Sequence, residues 1–131
     1  MILEVVRDNG ATRFRYRHVG EVFWRASGHE PVGTFVDDVL PETAGYRDYV
    51  VGIYQEMAAQ RRPMYTENRF ILRHGDADPM ATKRVSLPLS SDGVSVDRVL
   101  AAHVFDYGNM GEQGFALVSS LEQGVRAFLD T

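Results

Sequence analysis

Residues 13–19, Arg-Phe-Arg-Tyr-Arg-His-Val, alternate strictly between basic and aromatic or apolar side chains. A period of two is the repeat of a strand, so Phe14, Tyr16 and His18 fall on one face and three arginines on the other. Asp8-Asn9-Gly10 stands just before, with residues that tolerate positive φ, and Ile2 to Val6 is apolar and β-branched. The chain is therefore expected to open with a β hairpin, which limits the folds open to it.

Gly20 breaks the alternation, and Val22, Phe23 and Ala26 then follow at helical spacing toward Gly28. An irregular stretch with Pro31, Gly33 and Asp37-Asp38 ends at Leu40-Pro41. The strongest helix signal comes next. Tyr46, Tyr49, Val50, Ile53, Tyr54 and Met57 trace one broad face, which predicts a helix from Ala44 to Gln60. Thr43 is its expected cap, Arg61-Arg62 suit its negative end, and Pro63 forbids continuation.

From Pro63 the pattern turns to strands. Met64 to His74 places Thr66, Asn68, Phe70 and Leu72 on one face, and Gly75 to Pro79 reads as a loop. Thr82 to Ser90 alternates through Val85, Leu87 and Leu89, with Pro88 marking a bulge or edge. Ser91-Asp92-Gly93 is a turn before a last strand from Val96 to Tyr107. Residues 108–131 then read as a linker and an amphipathic C-terminal helix. Ser119 or Ser120 with Glu122 or Gln123 forms a capping box, and Leu117, Leu121, Val125 and Phe128 form a stripe weakened by Gly124. That stripe is a candidate homodimer seam.

At 131 residues the chain has the length of one domain, and 44% hydrophobic with 24% charged residues is globular composition. Two strands before the helices and three after them exclude a parallel βαβ series. The absence of cysteine removes disulfides, thiolate metal sites and cysteine nucleophiles together. A net charge of -4 gives no overall attraction to nucleic acid or anionic membrane. The opening residues contain neither a signal peptide nor a membrane span, so the expected compartment is the cytoplasm.

With this order of elements, Phe14-Arg15-Tyr16-Arg17-His18-Val19-Gly20, Gly28 through Gly33, Arg62-Pro63, Leu87-Pro88-Leu89-Ser90-Ser91-Asp92-Gly93 and the closing strand Val96 to Phe105 together resemble the PAS domain. The likeness is to the α-proteobacterial PAS family with an Arg-Tyr-Arg strand and a Pro-Leu-Ser-x-Asp-Gly element. It covers residues 14–105, taken as a domain spanning 1–107. The resemblance implies an α+β fold, a five-stranded antiparallel sheet with helices inserted between strands 2 and 3, plus the C-terminal helix. It also implies a non-catalytic sensory or protein-interaction module of bacterial signalling, binding a small ligand or a partner protein. Members generally open with a helical segment before the first strand, whereas a strand is expected first here.

The sites that such a module could carry are narrowed by what is missing. His18, His29, His74 and His103 have no partner at i, i+3 or i, i+4, so no metal site is expected and their plainer reading is structural. The long helix carries no histidine, which disfavours haem. A cysteine-adduct flavin and a coumaroyl chromophore are excluded by the lack of cysteine. Asp37-Asp38 and Asp76-x-Asp78 read as loop residues rather than catalytic carboxylates. The Arg-aromatic strand is not a stacking platform for nucleic acid, because alternation separates the rings from the cations. What remains is an inner pocket, with Tyr16, His18, Trp24, Tyr54, Met57, Asn68, Phe70, His103 and Phe105 as candidate lining. The alternatives are a solid core in the same place, or a small enzyme or carrier of the NTF2-like group, which leads with helices.

Overall fold

The computed structural model describes residues 1–21, 23, 30–72, 80–106 and 118–130. Six strands form one antiparallel sheet: β1 (Ile2–Asp8), β2 (Ala11–His18), β3 (Met64–Leu72), β4 (Met80–Leu89), β5 (Arg98–Asp106) and β6 (Val118–Phe128). Their order across the sheet is β2-β1-β5-β4-β3-β6, and the sheet curls into a half-barrel. Between β2 and β3 lie a short helix α1 (Val36–Val39), a 3-10 turn (Thr43–Gly45) and α2 (Tyr46–Gln60), the one long helix among the described residues.

The hairpin forms as its sequence dictates. Asn9 at φ 48 and Gly10 at φ 80 close the turn, and Val5 pairs with Phe14. Phe14 and Tyr16 are buried, whereas His18, beyond a register shift between Ile2 and Leu3, is exposed. The arginines face outward and are engaged: Arg15 lies 2.9 Å from Glu4, and Arg13 lies 3.0 Å from Asp37 with its guanidinium over the Phe35 ring.

Helix α2 starts from Gly45 in the left-handed region, with no side-chain cap, so Thr43 does not fill the role its sequence position suggested. Its buried residues are Tyr46, Tyr49, Val50, Ile53, Tyr54, Met57 and Ala58, laid against the concave face of the sheet near β2 and β4. Burying a side chain such as Ile53 or Met57 stabilises the fold by about 1.5–3 kcal/mol. Arg61 at φ 54 ends the helix, the chain turns at Arg61-Arg62, and Pro63 directly precedes β3.

The fold departs from the expected five-stranded sheet with a C-terminal helix. Residues 118–128 are a sixth strand, paired with β3 from Met64↔Phe128 to Leu72↔Val118. The physical reason is the long open edge of β3, whose backbone groups a helix could not pair. Gly124 fits that pairing: a Cβ there would meet the Glu67 carbonyl oxygen at 3.2 Å, beside an irregularity in the register. In strand form the helical stripe is dispersed, with Leu121 and Phe128 half-buried and Val125 exposed. Leu117 lies outside the described residues.

Pro88 sits within β4 because β3 has already ended beside it. The last β3 pair is Met64↔Ser86, and Pro88 is paired only to Val99 of β5.

Candidate functional site

Strand β4 turns its polar side inward. Thr82, Arg84 and Ser86 are at most 2% exposed, while Val85 and Leu87 are only half-buried and Leu89 is exposed. Because alternate residues of a strand face opposite ways, register with β3 and β5 fixes this choice for the whole strand. It produces three ranks across the concave face: Thr66–Arg84–His103, Asn68–Thr82–Phe105 and Met64–Ser86–Ala101. Helix α2 covers these ranks with Tyr46 and Tyr54.

Arg84 is the centre of the seam. Its Nε–H donates to Nε2 of His103 at 3.0 Å, Nη1 reaches the Thr66 hydroxyl at 3.4 Å, and Nη2 reaches the Tyr46 hydroxyl at 3.5 Å. To accept from Arg84, His103 must be the neutral tautomer with its proton on Nδ1. Burial, then the Arg84 charge, then the N-terminal charge push its pKa down to about 3, so it stays neutral. Burial pushes the Tyr16 hydroxyl far up, and burial pushes Tyr54 up to about 12, so both remain protonated donors.

Asn68 is fully buried, yet among the described residues neither its Oδ1 nor its Nδ2 has a hydrogen-bond partner, and the Ser86 hydroxyl is in the same position. Such groups are uncommon, because each buried polar atom left unpaired costs about 1–3 kcal/mol. A polar seam with open donors and acceptors is a poor core and a good recognition surface.

An aromatic wall adjoins the seam. His103 and Phe105 stack with centroids 5.3 Å apart and planes 7° apart, and Phe23 lies 6.1 Å from each. Tyr16 meets Phe23 at 5.8 Å. His103, Phe105 and Phe23 are half-buried, so this is the side of the seam nearest solvent.

Of the residues expected to line a pocket, Tyr16, Tyr54, Asn68, His103 and Phe105 thus belong to this seam or its wall. Phe70 is packed edge-on against Tyr46 at 4.9 Å, and Met57 is buried in the apolar core. His18 is exposed and does not contribute, and Trp24 lies outside the described residues. Arg84, Thr66, Thr82, Ser86, Tyr46 and Phe23 were missed. The alternation of Val85, Leu87 and Leu89 points the apolar set inward, and only the register of β4 with β3 and β5 turns Arg84 and Ser86 to the core side instead.

The other marked residues have structural partners. Asp37 and Asp38 both bond Arg13. In the Pro-Leu-Ser-x-Asp-Gly element, Oδ1 of Asp92 accepts from the Val94 and Ser95 amides and from the Ser90 hydroxyl, each at 2.8 Å. Those bonds hold its carboxyl down at a pKa of about 2. Asp76 and Asp78, with His29 and His74, lie outside the described residues. Among the described residues no group of three His, Asp or Glu is placed to hold a metal, and no helix is long and apolar enough to cross a membrane.

No family model matches this sequence, and neither a curated protein nor a solved structure matches it.

Proposed function

We propose that this chain is a PAS-type sensory module without chemistry of its own, and that it binds a small molecule in the polar seam between α2 and the sheet. The observation that carries the reading is Asn68, whose amide is fully buried with both polar atoms unpaired among the described residues. A ligand that supplies one acceptor and one donor there would satisfy both atoms of that amide. Arg84 and the tyrosine hydroxyls supply further donors beside it.

The titratable groups of the seam suit binding rather than proton transfer. The arginine stays charged, His103 is held neutral, and Tyr16 and Tyr54 are held protonated throughout the physiological range. A role in bacterial signalling rests on the resemblance of the hairpin and the Asp92-Gly93 turn to the PAS family.

A route for the signal accompanies the site. Asn68 pairs with Gln123 directly beside the register irregularity between β3 and β6. A ligand that fixes the Asn68 amide therefore bears on the seating of β6.

Native mass spectrometry and an absorption spectrum of the protein purified from its own host test the reading. A stoichiometric small-molecule mass that disappears on denaturation is expected. The bare polypeptide mass in every charge state, with no absorption beyond that of its aromatic residues, would contradict it.

A further inference from the structure

Strand β4 turns its apolar residues to the outside of the sheet. With Thr82, Arg84 and Ser86 facing α2, Val85, Leu87 and Leu89 point to the convex side. Their neighbours there are apolar too. Val85 lies between Tyr65 and Ala102, Leu87 lies beside Leu100, and Leu100 lies beside Ile2. Leu89 is 40% exposed, Leu100 39% and Val104 66%, so the middle of the convex face is an open apolar patch. Contiguous apolar surface of this kind marks a contact site.

Strand β5 fits this patch to a second copy of itself. Its convex side reads Arg98, Leu100, Ala102, Val104, Asp106, which is complementary to itself when reversed about Ala102. A two-fold axis across the strands at Ala102 sets Arg98 against the partner's Asp106, and Leu100 against the partner's Val104. On β4 the same axis sets Leu87 against the aliphatic stem of the partner's Lys83. Arg98 and Asp106 are both exposed, and among the described residues neither has an ion-pair partner within 4.0 Å. Glu4, which stands opposite Arg98, is already held by Arg15 at 2.9 Å. A curled sheet meets its copy first along its middle strands, and β5 and β4 are the middle pair of the six. Nine residues by six strands make a face of about 27 by 24 Å, which suits a reversible dimer.

We infer that two copies of this chain pair convex face to convex face, about a two-fold axis through Ala102 of β5. An isologous contact needs one patch complementary to itself, and the β5 series supplies it. The contact lies on the opposite side of the sheet from the seam and does not depend on a ligand there.

Sedimentation velocity of the full chain from about 1 to 500 μM tests this, with a reversible dimer of micromolar dissociation constant expected. Val104→Arg places a charge in the patch and is expected to weaken the dimer at least about 10-fold. Arg98→Asp and Asp106→Arg each oppose like charges at both ends of the contact, and each is expected to weaken it similarly. The double variant restores opposite charges and is expected to recover most of the affinity. All three positions are exposed, so unchanged circular dichroism spectra are expected. The chain has no cysteine, so Ala102→Cys gives a single thiol at the axis, and a short bismaleimide is expected to join two copies. A protein that stays monomeric at about 500 μM would overturn the inference. So would a dimer that Val104→Arg leaves intact, a double variant no tighter than the single ones, or no cross-link at Ala102→Cys.

Discussion

Arg84 on β4 and His103 on β5 are direct cross-strand partners, and the arginine Nε–H donates to the imidazole Nε2 across 3.0 Å. The bond ties the charge of the seam to a histidine at its rim. It works only while that histidine is neutral, because an imidazolium has no lone pair to offer and would repel the guanidinium.

This gives a pH dependence with a definite sign. The folded-state pKa of His103 is depressed to about 3, below its unfolded value, so the unfolded chain binds more protons between the two. Its contribution is fully present above the unfolded pKa and is lost as the pH falls toward the folded one. Urea unfolding is expected to show about 3 kcal/mol of stability lost through this group between pH 7 and pH 4. His103→Gln, which keeps an acceptor for Arg84, is expected to show a correspondingly smaller loss; an equal loss in both proteins would refute the assignment.

Asn68 offers a test that separates binding from stability. Asn68→Leu removes two unpaired buried polar atoms at nearly constant shape, and a gain of about 1–3 kcal/mol is expected in chemical denaturation. The same variant is expected to lose affinity for whatever occupies the seam. A destabilised variant would mean that the amide is already satisfied in the folded chain.

Gly124 distinguishes strand from helix by the sign of one substitution. In a helix interior, Gly124→Ala would stabilise by about 0.5–1 kcal/mol. Against the Glu67 carbonyl oxygen, the added Cβ sits at 3.2 Å, and a loss of about 1 kcal/mol is expected instead. Thermal or urea melts of the two proteins decide between them.

The apolar half of the core should respond as packed interiors do. Ile53 and Met57 on α2 are both fully buried. Truncation of either to Ala is expected to cost about 2–5 kcal/mol, read as a lower urea midpoint at unchanged m-value. A loss below about 1 kcal/mol would place the helix away from the sheet.

Much of the frame was legible in residue periodicity. The alternation at 13–17 gave the hairpin, the Tyr46 to Met57 stripe gave α2, and Pro63 marked the change to strands. The C-terminal element was misread because Leu121, Val125 and Phe128 fit a helical repeat, while the open edge of β3 that recruits them is a property of the assembled sheet. Gly124 was the local sign against a helix. The site was half legible: Tyr16, Tyr54, Asn68, His103 and Phe105 followed from the faces of their strands and helix. Arg84 was not, because a charged residue flanked by Lys83 and Val85 reads as solvent-facing until the register with Thr66 and His103 turns it inward. His18 erred the other way, since the shift in register at Ile2 ends the buried face at Tyr16.

The most direct test of a ligand-binding seam is the side-chain amide of Asn68 in proton–nitrogen correlation spectra. Spectra would be compared between protein isolated from its host and the same protein stripped by unfolding and refolding. The Asn68 NH2 pair is expected to move on stripping, together with the Arg84 Nε–H signal, while the amides of the Asp92-Gly93 turn stay in place. Identical Asn68 and Arg84 signals in both samples would rule out a ligand in the seam.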